Sequence, residues 1–210
     1  MTGLAILPLT PEGHDVAQTR PAPGTWTYED LFGLPDDGRR YEIIEGELYE
    51  MPSANWNHAV TIMNLIALLL PVVRKLGGEI VTASVDVFFQ GANPVIPDII
   101  VLLPGGVAVP VLRGIEGPPD LLIEVVSPSN PGHDRLTKRA LYARAGVREY
   151  WLVDPVTRTI ELLTLERDAF HTIETLAADA TLISPALGGT AFPLAAIFAG
   201  VRDFEQEVHP

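Results

Sequence analysis

Residues 120–126 read Asp120-Leu121-Leu122-Ile123-Glu124-Val125-Val126. An almost unbroken apolar run of this length, rich in branched side chains, is the pattern of a strand buried on both faces. Glu124 stands inside it. The candidate strand before it, Val95-Ile-Pro-Asp-Ile-Ile-Val-Leu-Leu103, carries Asp98 in the same way. A buried carboxylate is costly unless it is paired or binds a metal. One alone reads most simply as a residue at a strand end, or as a cap on a backbone group. Two in consecutive strands point to a place where their side chains converge.

The flanking sequence supplies the rest of a mixed sheet with helices packed on it, an α/β or α+β arrangement. Thr27-Tyr-Glu-Asp30 predicts a capped short helix closed by Gly33 and Pro35. Tyr41–Met51 predicts two strands turning at Glu45-Gly46. A helix follows from about Trp56 to Lys75. Its polar positions Asn57, His58, Thr61 and Asn64 form one stripe, and the remainder is apolar enough to predict burial on most sides. Further strands are expected at Ile80–Phe89, Glu149–Val153, Thr159–Leu165 and Phe170–Leu176. A long loop is expected over Pro104–Pro119. Helices are expected over His133–Ala145 and, briefly, Pro193–Phe198.

The chain has 210 residues, enough for one domain with a sizeable core. We expect that domain over residues 25–200, between a flexible N-terminal tail (1–24) and a C-terminal tail (201–210). The absence of Cys excludes disulfides, thiolate zinc sites and a cysteine nucleophile. Met1–Leu9 lacks the basic start of a secretory signal. The apolar stretch Ala59–Val73 is short for a bilayer and is interrupted by Thr61, Asn64 and Pro71. The expectation is a cytoplasmic protein with no membrane partner.

The formal net charge of −13 excludes a protein held to nucleic acid by a uniformly basic surface. It does not exclude a local site. Arg135, Lys138, Arg139, Arg144 and Arg148 form a basic stretch without an acidic residue. Lys138, one of two lysines, shares a helix face with Asp134 and Tyr142 at spacings of four. An Asp134–Lys138 surface ion pair is the ordinary reading of that spacing. Beside Asp98 and Glu124, however, Lys138 completes a chemical set. Two carboxylates hold a hard cation such as Mg²⁺, or Mn²⁺, which keeps several waters. The cation polarises a phosphoryl oxygen and activates a water. An ammonium orients that water and offsets charge developing on the phosphate. Such a set hydrolyses phosphodiesters.

Several runs resemble the Uma-type restriction endonuclease family of the PD-(D/E)XK nuclease superfamily. They are Arg40-Tyr-Glu-Ile-Ile-Glu-Gly-Glu-Leu48, His58 at a helix start, Pro97-Asp98, Asp120–Ser129, Asp134 with Lys138, and Tyr142–Pro155. The resemblance covers roughly residues 26–200. It implies a restriction-endonuclease-like core, a mixed sheet flanked by helices, and a metal-dependent DNA endonuclease. Asp98 matches the superfamily Asp and Glu124 its (D/E). Val126 stands where the usual Lys is expected, and the resemblance moves that role to Lys138 in the next helix. It also implies the Val125 carbonyl as a further metal ligand. Glu42 falls on a family-like position, completing the acidic cluster through a water or holding Lys138. His58 does too, orienting a water or contacting phosphate; packing or capping at the helix start explains it equally well.

Two other functions use the same residues: a nuclease-fold binding or regulatory protein with little catalysis, and a metal-dependent hydrolase of another phosphate ester. The expected partner is duplex DNA. Cleavage of both strands would suit a homodimer.

Overall fold

The structure, a computed structural model, describes residues 21–51, 54–82, 85–127, 137–177 and 179–204. A 3₁₀ helix (Tyr28–Gly33) opens it, and Asp30 Oδ2 accepts from both the Thr27 amide and the Thr27 hydroxyl. Strands β1 (Arg40–Ile44) and β2 (Glu47–Met51) form the expected hairpin. Its turn places Glu45 at φ 53° and Gly46 at φ 78°, the paired positive angles of a type I′ turn. Gly46 is obligatory here because a Cβ would run into the Gly24 backbone.

Helix α1 runs Trp56–Lys75, with Asn55 Oδ1 capping the His58 amide at 2.9 Å. By length and composition α1 could cross a bilayer. It lies on the sheet through Leu65, Leu69 and Val73, and only that seam, with Thr61, is fully buried. Met63 is 66% exposed and Trp56 51% exposed. The expected burial on most sides is therefore corrected: α1 covers one face of one sheet.

The chain continues with β3 (Glu79–Thr82), β4 (Val87–Phe88), β5 (Ile99–Leu102), β6 (Val109–Val111), β7 (Gly114–Glu116) and β8 (Leu121–Val125). Helix α2 (Arg139–Ala145) leads to β9 (Glu149–Asp154), β10 (Thr159–Glu166), β11 (Ala169–Ala177), β12 (Thr181–Ser184), β13 (Thr190–Pro193) and α3 (Leu194–Ile197). Three strand boundaries differ from expectation. Ile80–Phe89 divides into β3 and β4, which belong to different sheets. The segment 104–119 holds the β6–β7 hairpin as well as loop. The strand expected from Val95 begins only at Ile99, since Pro94 and Pro97 withhold two amides from any ladder.

The central sheet has the order β11-β10-β9-β8-β5-β3, with β8 and β9 parallel and every other pair antiparallel. Its central strands are buried on both faces. Ile99, Val101, Leu121, Ile123, Trp151 and Val153 meet α1 and α3. Ile100, Leu122, Val126, Tyr150 and Leu152 meet α2 and the β1 side. At roughly 1.5–3 kcal/mol for each large side chain buried, this double core dominates the fold's stability. Truncating Leu69 to Ala would cost about 2–5 kcal/mol.

The sequence-based expectations for residues 1–20, for Asp134 and the first turn of the 133–145 helix, and for residues 205–210 lie outside the described residues.

Candidate active site

The antiparallel register of β5 and β8 sets Ile99 opposite Ile123. The next step outward sets Asp98 opposite Glu124. The two carboxylates therefore stand at one end of adjacent central strands. Asp98 sits one residue before β5 rather than inside it, which corrects the sequence reading of a carboxylate buried mid-strand. Its Oδ2 accepts from the Val125 amide at 2.7 Å. That amide lies where β5 has ended, so the side chain takes over the sheet's hydrogen bonding there.

Lys138 enters from the other direction. The parallel β8–α2–β9 unit returns the chain over the sheet, and Thr137 and Lys138 form a wide turn at the start of α2. The Lys138 ammonium lies 3.0 Å from Glu124 Oε1 and 3.3 Å from Glu42 Oε2. One turn further, the Tyr142 hydroxyl donates to the same Glu124 oxygen at 2.6 Å. The shared face of Lys138 and Tyr142 thus closes on Glu124. Glu42, Glu124, Lys138 and Tyr142 are all buried. Burial, and then the nearby Glu124 and Glu42 charges, push the Tyr142 phenol well above its usual pKa, so it remains a donor.

Glu42 does more than face Lys138. Its Oε1 accepts from the Ile96 amide at 2.9 Å, which ties β1 to the segment carrying Asp98. Nothing in the sequence marked Ile96, because the contact is made by its backbone. Val126, at the position where the superfamily's usual Lys is expected, is buried among Ile44, Leu141 and Tyr142. That pocket is apolar, and the cation arrives from α2 instead.

His58, third residue of α1, brings Nε2 to 3.3 Å from Asp98 Oδ2. Its side chain is 14% exposed and that of Asp98 23% exposed, against 4% or less for Lys138, Glu124 and Glu42. Lys138, Glu124 and Glu42 therefore form a buried ion cluster, and the more exposed Asp98–His58 pair is joined to it through the Val125 and Ile96 backbone. Among the described residues His58 Nδ1 and Thr61 Oγ1, one turn apart on α1, are buried without a hydrogen-bond partner.

The donor chemistry suits a hard cation: Asp98 and Glu124 offer carboxylate oxygens, and a small divalent ion completes its shell with water. Among the described residues no three His, Asp or Glu side chains form a ready protein cage. Val125, expected to contribute its carbonyl, engages Asp98 through its amide.

The basic stretch along and after α2 behaves differently from expectation. Arg139 pairs with Glu161, Arg144 with Glu45 and Arg148 with Asp120, while Lys138 is taken by Glu124 and Glu42. Its charge is neutralised within the fold, a pairing that linear sequence could not reveal. Arg135 lies outside the described residues.

A mixed central sheet flanked by helices, with Asp just before one central strand and Glu near the end of its neighbour, is the restriction-endonuclease-like architecture found among nucleases. The family model described as "Uma2: Putative restriction endonuclease" matches residues 28–195, and the chain belongs to that family. A solved structure described as a "putative nuclease belonging to DUF820" from Anabaena variabilis ATCC 29413 has the same fold, with a TM-score of 0.68 at 19% identity. The match covers 83% of this chain and 98% of the other. Comparison with curated proteins gives no match.

Proposed function

We propose that the protein is a metal-dependent DNA endonuclease that hydrolyses phosphodiester bonds with water. The observation that carries this reading is the Lys138 ammonium, buried between Glu124 and Glu42, with Asp98 bonded to the amide of Val125, the residue after Glu124. Asp98 and Glu124, with the Val125 carbonyl, would hold Mg²⁺ or Mn²⁺. The cation's part is Lewis acidity: polarising a phosphoryl oxygen and making a water more acidic.

The chain's own residues do the positioning. Glu42 holds the ammonium and the Ile96 amide together, so Lys138 and Asp98 keep a fixed relation. Lys138 offsets the negative charge that gathers on the phosphate oxygens as water attacks. Tyr142 fixes one Glu124 oxygen, leaving the carboxylate a single orientation. His58, against Asp98, is placed to orient a water or donate to a phosphate oxygen. Attack puts the water oxygen on phosphorus, breaks the bond to the leaving sugar oxygen, and passes one proton to that oxygen.

A nuclease-fold binding or regulatory protein with little catalysis is the second reading, favoured by the net charge of −13. Incubating the full chain with plasmid, linear duplex, single-stranded DNA and RNA, in Mg²⁺, Mn²⁺ or EDTA, tests both. The proposal expects cation-dependent cuts in DNA. Binding of DNA with no cleavage in either cation would favour the second reading. Cleavage of RNA alone would replace the substrate while leaving the chemistry.

A further inference from the structure

We propose that Trp56 and Arg202 form a nucleic-acid-binding platform beside the candidate site, taking a nucleotide of the substrate strand through its base and phosphate. This rests on the nuclease reading above and adds where the strand is held.

The Arg202 guanidinium lies over the Trp56 indole, 4.6 Å from the ring centre. Both ends of the pair are fixed. The indole Nε1–H donates to the Gly200 carbonyl at 3.3 Å. The Arg202 backbone makes a reciprocal pair with the Asn57 side chain: Asn57 Nδ2 donates to the Arg202 carbonyl at 2.8 Å, and the Arg202 amide donates to Asn57 Oδ1 at 2.9 Å. Asn57 is the residue between Trp56 and His58. The platform and His58 therefore share the first turn of α1. A helix with side chains is about 10–12 Å across. With strand phosphates spaced by about 3.4 Å along a duplex axis, the platform lies within roughly three or four nucleotides of a phosphate at His58.

Among the described residues Arg40, Arg74, Lys75, Arg167 and Arg202 make no ion pair with a carboxylate, and of these only Arg202 is held over an aromatic ring. The described cations of the α2 stretch each have a carboxylate partner, as shown above. Arg202 has none among the described residues, and its neighbour Asp203 is taken by Arg158 at 2.7 Å. The first turn of α1 carries no acidic residue. In a chain of net charge −13, an exposed guanidinium that is already oriented and has no carboxylate partner among the described residues is an attraction for phosphate. An arginine stacked on an aromatic ring keeps its N–H edge for phosphate and offers its outer face to a base.

Fluorescence reads the platform directly, because Trp151 is 0% exposed and Trp26 9%, against 51% for Trp56. The full-length Asp98→Ala protein is titrated with a 12-nucleotide single-stranded DNA and with the matching duplex. The expected result is quenching of the exposed-tryptophan emission. Trp56→Leu should abolish the quenching and weaken binding about 5- to 100-fold. Arg202→Gln should weaken binding and lower the slope of log K against log salt by about 0.7 for the single strand or 0.9 for the duplex. Arg74→Gln, at the far end of α1, supplies the control for lost charge.

Arg202→Gln matching Arg74→Gln in affinity and salt slope would overturn the platform. If wild type still cuts DNA in that case, the nuclease reading stands and only the platform falls. If no oligonucleotide binds and none is cut by wild type, both fall.

Discussion

Replacing Lys138 with Met removes an ammonium lying 3.0 Å and 3.3 Å from two carboxylates, with all three side chains 4% exposed or less. Met fills similar space, so packing changes little and the electrostatic consequence dominates. Glu42 and Glu124 are left buried, with like charges and no cation between them. Removing one partner of a buried ion pair costs about 3–5 kcal/mol. For a chain of this size each kcal/mol moves Tm by about 2–4 °C, so a drop of roughly 6–20 °C is expected. The deficit depends on pH. Protonating either carboxylate relieves the repulsion, so the difference from wild type is largest at neutral and alkaline pH and shrinks toward acid. Glu42→Gln in the same protein removes one of the opposed charges and should recover part of the loss. Urea unfolding of wild type, both single variants and the double variant, at pH 5 and pH 8, gives the coupling. A Lys138→Met cost below about 1 kcal/mol at pH 8, or a cost independent of pH, would refute the buried ammonium–carboxylate arrangement.

Other consequences are equally measurable. Tyr142→Phe keeps the ring's edge contacts with Phe89 and Tyr150 but removes the donor to Glu124. Urea unfolding should show a loss of about 1.5–3 kcal/mol, and a loss under about 0.5 would contradict that bond's contribution. Thr61→Val deletes a buried hydroxyl without a partner among the described residues while keeping its shape, so stability should hold or rise by about 1 kcal/mol. A fall of that size would show the hydroxyl to be satisfied. Glu149 accepts from Trp151, Ser184 and Ala186, yet burial raises its carboxyl above the ordinary 4.5. A raised folded-state pKa contributes stability that is complete below the unfolded value and lost as pH rises through the folded one. The unfolding free energy of Glu149→Gln, from urea titration, should therefore gain on wild type as pH rises above about 4.5, by at most about 1.4 kcal/mol per pH unit. A flat difference across that range would refute the assignment.

What was legible in the sequence was mostly local or periodic. The Glu45-Gly46 turn, the helix from Trp56 to Lys75 and the 159–177 hairpin declared themselves by turn chemistry and spacing. Two charges in apolar runs marked Asp98 and Glu124, and helical spacing put Lys138 and Tyr142 on the face that meets Glu124. Long-range pairing was not legible. The contact of Glu42 with the Ile96 amide spans 54 positions and uses a backbone group. The acids that neutralise Arg139, Arg144 and Arg148 come from β10, the β1–β2 turn and the residue before β8. The breadth of α1's apolar surface misled in the same way. Hydrophobicity gives the surface available for burial, and the neighbouring elements decide which part of it is covered.

Under the proposed function Asp98, against His58 and bonded to the Val125 amide, belongs to a phosphodiester-hydrolysing site. Asp98→Asn keeps the size and the carbonyl that accepts from the Val125 amide, and removes the charge. The most direct measurement is the single-turnover rate of DNA cleavage in Mg²⁺ by wild type and Asp98→Asn, with folding verified by circular dichroism. Cutting by wild type is expected, with a fall of at least about a hundredfold in the variant, comparable to losing one electrostatic contact made in the transition state. An Asp98→Asn protein that cuts as fast as wild type would contradict that assignment.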